Sequence, residues 1–145
     1  MKKRGKSWVV VAIVALTVAL LACALVFREQ PPYEFLRGEQ RAWTIVTQSP
    51  PYKDLCETQY ESERSVEEIA EKARQELAAQ GWERIGNAFY TPGDNAERIM
   101  VYAAIAPGHG LGKTVIRIER IANPADRFIA WIDDRLGRPP ESAVQ

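Results

Sequence analysis

Histidine is almost missing from this chain and cysteine nearly so: 145 residues hold one histidine, His109, and two cysteines, Cys23 and Cys56. A zinc site gathers three or four His, Cys or carboxylate ligands in one place. One histidine with no acidic cluster beside it does not supply them, so His109 reads as a solvated loop residue. A disulfide framework is excluded as well. Cys23 lies inside a long apolar run, which leaves it no route to Cys56 within one folded domain. Internal repeats and low-complexity tracts are also absent, which removes solenoids and biased-composition segments. Excess positive charge is lacking too, since 19 Lys and Arg balance 19 Asp and Glu. The balance is uneven. Lys2, Lys3, Arg4 and Lys6 carry all the charge of residues 1–27, leaving 15 basic side chains against the 19 acidic ones beyond, a net of −4. That acidic remainder argues against nucleic acid, whose phosphates call for a basic face.

What the sequence does have is an uninterrupted oily stretch. From Trp8 to Phe27 there are 20 residues with no charge, and Thr17 carries their one hydroxyl. As a helix, 20 residues rise about 30 Å, the hydrocarbon thickness of a bilayer. The basic cluster in front predicts a cytoplasmic N-terminus and an outer location for everything after the span. Three readings fit this leader. The first is a retained anchor. The second is a cleaved secretory peptide, for which Ala22 and Ala24 supply small residues. The third is lipidation: "LLAC", Leu20 to Cys23, resembles the lipobox of bacterial lipoproteins, which implies Cys23 as the acylated residue. The resemblance covers those four residues only. It departs at Leu21, where a smaller residue is usual, and after Cys23, where Ala24 to Phe27 stay apolar. The anchor accounts for all of these residues, because they complete the span.

The stretch "PGHGLGKT", Pro107 to Thr114, ends in the letters that close a phosphate-binding loop. Two requirements fail. The first glycine of G-x-x-x-x-G-K-[ST] falls on Pro107, which has no N–H to offer a phosphate. A helix must also follow, whereas Ile116 and Ile118 alternate with Arg117 and Glu119 in the period of a strand. The expectation is a hairpin, with Gly108, Gly110 and Gly112 supplying positive φ; an irregular anion-binding nest is its alternative. No nucleotide and no cofactor are expected.

The rest predicts an α+β domain. Paired Pro31 and Pro32 mark an extended spacer. Strands are expected at Arg41–Gln48, with Trp43, Ile45 and Thr47 on one side, and over "DLCETQYESE", where Cys56, Thr58 and Tyr60 share the inward phase. Ser65 opens a helix as a capping box with Glu68. Val66, Ile69, Ala70, Ala73 and Leu77 form its apolar stripe, and Gly81 ends it in the left-handed region. Three strands follow: Trp82–Tyr90, with Ile85 and Phe89 inward, then Arg98–Ala106 and Lys113–Ile121. A last helix starts at Asn123 and Pro124 and stops before Gly137, with Phe128, Ile129, Ile132 and Leu136 as its buried face. Asp133 and Asp134 read as solvated surface, and Trp131 as a core residue at the edge of that face, with an interface anchor as its alternative. Trp43, Trp82, Phe89, Tyr102 and Trp131 supply the aromatic mass of the core.

The expected order is β-β-α-β-β-β-α after the membrane helix, an antiparallel sheet with helices on one face. The expected organisation is a basic tail at 1–7 and a transmembrane signal-anchor at 8–27. A linker at 28–40, an extracytoplasmic domain at 41–137 and a disordered tail at 138–145 complete it. Cys56 packs as a small apolar residue; an intermolecular bridge and a nucleophile paired with His109 are its alternatives. The function these features support is a membrane-anchored binding or assembly module, with the bilayer met through residues 8–27 and no enzyme activity. Its alternatives are a lipoprotein lipidated at Cys23 with an envelope-stabilising role, or a small enzyme using Cys56. Intact mass of the detergent-extracted protein separates the leader readings. The expected result is the full 16.3 kDa polypeptide; a shortened chain, bare or acylated, would overturn the anchor.

Overall fold

A computed structural model describes residues 4–48, 53–93, 97–106 and 110–137. Residues 1–3, 49–52, 94–96, 107–109 and 138–145 lie outside the described residues, and with them the expected positive φ of Gly108, the loop position of His109 and the disordered end of the chain. The chain divides into two units, Met1–Gln30 and Pro31–Gln145. The first is the helix α1 (Arg4–Glu29). Its apolar stretch Trp8–Val26 has a mean hydropathy of 3.1 and none of it is buried. The Thr17 hydroxyl donates to the Ile13 carbonyl at 2.9 Å, so the single hydroxyl of that stretch is satisfied within the helix.

The second unit is α+β. It holds strands β1 (Gln40–Thr47), β2 (Leu55–Ser62), β3 (Glu83–Ile85), β4 (Ala88–Tyr90), β5 (Arg98–Ala106) and β6 (Gly110–Ile121), with helices α2 (Val66–Ala78) and α3 (Pro124–Leu136). They form one six-stranded sheet in the order β1-β2-β6-β5-β4-β3, and every pairing is antiparallel. After the β1–β2 hairpin, α2 carries the chain to the far edge, and β3 to β6 meander back until β6 pairs with β2. One strand more is present than the sequence reading gave. Trp82–Tyr90 is not one strand but a tight hairpin, folded at Gly86 with φ of +62° and paired Ile85↔Ala88. The Gly86-Asn87 dipeptide is the turn signal behind the split. Ile85 consequently lies on a short edge strand, 70% exposed rather than inward.

Register assembles the core. Tyr60 faces Ile116, Thr58 faces Ile118, and β5 brings Val101 and Ile99 against the same two isoleucines. Phe89 continues the row from β4. α2 covers it with Ile69, Ala73 and Leu77, all at 0% exposure. Ser65 caps α2 by accepting the Glu68 N–H at 3.2 Å, while the Glu68 carboxylate pairs with Lys72 at 3.5 Å. At the other end Gly81 adopts a φ of +78°. The Trp82 N–H then reaches the Leu77 carbonyl and the Gly81 N–H the Ala78 carbonyl, the paired bonds that close a helix through a left-handed glycine. Residues expected as spacer join this core: a 3-10 turn at Glu34–Leu36 buries Phe35 and Leu36. Glu76 holds that turn by accepting the Glu34 and Phe35 N–H groups.

Gly112 has a different task from the one expected. It has no positive φ and lies within β6, beside the irregularity between Ala103 and Ile105 in β5. A Cβ there would meet the Ala104 carbonyl oxygen at 2.8 Å, so close backbone approach is what requires glycine.

α3 corrects the sequence reading most. Its start is as expected: Asn123 and Asp126 cap each other's backbone N–H at 2.9 Å, with Pro124 in the first turn. Its buried face is not. Ile132 is buried, but so are Asp126 and Asp133, at 2% and 4% exposure, while Phe128, Trp131 and Leu136 are exposed. The reason lies on β1. Arg41 points at α3 and binds Asp133 through Nη1 and Nη2, at 2.6 and 3.0 Å. The Thr44 N–H donates to the same carboxylate at 2.8 Å. Asp126 likewise pairs with Arg120 at 2.5 Å. Tyr102, 39% exposed, also stands outside the core.

Asp133→Ala leaves a guanidinium buried without its carboxylate and is expected to lower stability by about 3–5 kcal/mol in urea unfolding. The paired change Arg41→Met with Asp133→Leu should recover most of that loss. A single-variant loss below about 1 kcal/mol would mean that the pair is not what docks α3.

Candidate functional site

The sheet positions a polar concavity at the start of α2. β2 ends at Ser62 and β6 passes beside it, with Ser62 and Thr114 directly opposed. The chain then turns through Glu63 and Arg64 into the first turn of α2. A cleft of about 670 Å³ opens there, lined by Ser62, Glu63, Arg64, Ser65, Val66, Glu67, Ala103, Gly112, Lys113 and Thr114. Ser62 and Thr114 are 2% and 5% exposed. Ser62 Oγ accepts the Arg64 N–H at 3.0 Å. The glycine-lysine-threonine letters of the rejected nucleotide motif thus stand on a strand, facing the start of a helix and not forming it.

The cations of the cleft are already answered. Arg64 pairs with Glu39 and, at 3.8 Å, with Glu68. Lys113 lies 3.7 Å from Glu61 and 3.2 Å from Glu63, and the Glu63 carboxylate raises its pKa first among the causes. The cleft therefore offers the hydroxyls of Ser62, Ser65 and Thr114 to a polar ligand, with its cations paired and the Glu67 carboxylate exposed beside them. Among the described residues no group of three His, Cys, Asp or Glu side chains is arranged to hold a metal ion.

The sheet face turned away from α2 carries a row of charges. Glu57 and Glu119 are directly opposed, and Arg98 faces Glu119 from the other side. Like charges in register are unfavourable. Arg117 offsets them, placing Nη2 2.6 Å from Glu57 and Nε 3.6 Å from Glu119, while Arg98 pairs with Glu119. Burial still raises the Glu57 pKa against the pull of Arg117. The same burial raises that of Tyr102 beside it.

Compared with known proteins, the chain matches no family model, no curated protein and no solved structure.

Of the two cysteines, Cys56 is 1% exposed. Burial pushes its pKa up to about 11, and the Asp126 carboxylate adds to the rise. A thiol so placed is protonated at neutral pH and is a poor nucleophile. His109, its one candidate base in the sequence, lies outside the described residues. Cys23 is on α1 and exposed. Sequence reasoning missed the cleft. Ser65 was legible as a cap and Thr114 as a strand residue, but only the β2–β6 register brings Ser62 and Thr114 together beside that cap.

Cys56 generates a pH prediction. The fold favours its protonated form, so that contribution is complete below the ordinary thiol value of 9.0. It is lost as pH rises through about 11, by up to about 3 kcal/mol. The difference in urea stability between the native chain and Cys56→Ala should therefore shrink or reverse from pH 8 to pH 11. A constant difference over that range would exclude the buried, protonated thiol.

Proposed function

We propose that this chain is a single-pass membrane protein, held by α1 with its N-terminus in the cytoplasm. The Pro31–Gln145 unit is presented on the outer side as a small binding or assembly module. The observation that carries this reading is the 19-residue stretch Trp8–Val26, with a mean hydropathy of 3.1 and no burial. A helix that packs into a soluble core buries at least one stripe; this one exposes every side, which suits a lipid solvent. Four basic residues ahead of it favour the stated orientation, and α1 continues unbroken through Cys23 to Glu29, as a retained anchor requires.

The binding role follows from what the folded unit offers. The cleft at the start of α2 combines three hydroxyls with internally balanced charge, a surface suited to recognition of polar groups without electrostatic steering. Cys56, protonated and sealed in the core, favours packing over chemistry.

Alkaline carbonate washing of membranes, followed by protease added to intact spheroplasts, tests both halves. The expected result is full retention in the pellet and loss of the Pro31–Gln145 unit to external protease. Recovery of the intact chain in the soluble cytosolic fraction without detergent would overturn the proposal.

A further inference from the structure

The outward side of α3 gathers apolar surface that the domain leaves in water. At about 100° per residue, Ile129, Ile132, Asp126 and Asp133 share the arc turned to the sheet, and Trp131 stands opposite its middle. Trp131 and Phe128 are 53% and 42% exposed and stack with their centroids 6.1 Å apart. Arg135 sets its guanidinium 5.4 Å from the centre of the Trp131 ring. Arg127, its side chain 52% exposed and paired with Asp54, flanks the opposite side; Asp134 borders the same edge. Carboxylates buried and aromatics exposed is the reverse of an ordinary amphipathic helix. An exposed large apolar group opposite a buried polar one is the informative combination.

We propose that this face of α3 rests on the bilayer surface, seating Trp131 and Phe128 among the lipid headgroups; the inference rests on the anchor reading above. The chemistry fits a lipid interface. Indole rings partition to the headgroup layer, where an apolar body and a polar N–H are both accommodated. Guanidinium groups such as that of Arg135 bind lipid phosphate through paired hydrogen bonds. Chain connectivity fits as well. Four residues, Gln30 to Tyr33, separate the end of α1 from the 3-10 turn at Glu34, a tether of at most about 18 Å. With α1 in lipid, the domain is held within reach of the surface, so a modest aromatic contact is populated by effective concentration alone.

Tryptophan quenching by brominated lipids tests the seating on the full chain, reconstituted in phosphatidylcholine and phosphatidylglycerol vesicles. Trp8→Phe removes the indole of the anchor, Trp131→Phe that of α3, and the double change removes both. The expected result is that the Trp8→Phe chain keeps a quenched component which the double variant loses. If wild type is quenched and Trp8→Phe is not, the anchor stands and the seating of α3 is overturned. If no variant, wild type included, is quenched, the anchor reading fails and the seating with it. If Trp131 escapes quenching and Phe128→Glu releases a co-purifying protein, the face belongs to a protein partner and the lipid assignment is overturned.

Discussion

The folded unit depends on one buried ion pair at the edge of its sheet. Arg41 and Asp133 are each about 95% buried as side chains, and neither tolerates that environment alone, because desolvating a lone charge costs several kcal/mol. Together they fix three things. They lock α3 against β1, they occupy the otherwise unpaired Thr44 N–H, and they tie Thr44 to Thr58 across β1 and β2 through a 3.0 Å hydroxyl contact. An edge strand with free N–H groups is a template for unwanted pairing; here a helix carboxylate takes one of those groups. The irregularity between Arg41 and Trp43 shifts the strand phase so that Arg41 and Thr44 both present themselves to Asp133.

The consequence reaches the opposite side of α3. Once the sheet-facing arc of a 13-residue helix is given to Asp126, Ile129, Ile132 and Asp133, Phe128, Trp131 and Leu136 are left exposed. The exposed Phe128–Trp131 stack is thus the complement of the buried ion pairs. α2 is the ordinary case: its apolar stripe is buried, its glutamates are outside, and the hydrophobic row of β2, β6, β5 and β4 lies beneath it. The two helices meet the same sheet by different physics, one by hydrophobic burial and the other by paired charge.

Much of this was legible in local patterns. The caps at Ser65 and Asn123, the left-handed glycine at position 81 and the alternation of Ile116 and Ile118 with Arg117 and Glu119 are short-range signals, and each element formed where its signal lay. The misreadings share one cause. Hydrophobicity alone would turn Phe128 inward and Asp133 to solvent, whereas Arg41, 92 residues away, sets the opposite orientation of α3. Ile85 faces inward only if Trp82–Tyr90 runs as a single strand, and Gly86-Asn87 divides it into a hairpin. Gly112 read as a turn residue because its close neighbour, Ala104, comes from the facing strand.

By itself the sequence determined the apolar span, the asymmetry of charge around it, the helix boundaries and the α+β class, since each depends on residues within a turn or two of one another. Only the tertiary structure decided which face of α3 is buried, which hydroxyls meet at the start of α2 and how the charges on the far side of the sheet neutralise each other. Those outcomes depend on register and on a long-range ion pair. Neither leaves a periodic trace in the chain, because the partners are set by how the strands align and not by where they stand in sequence.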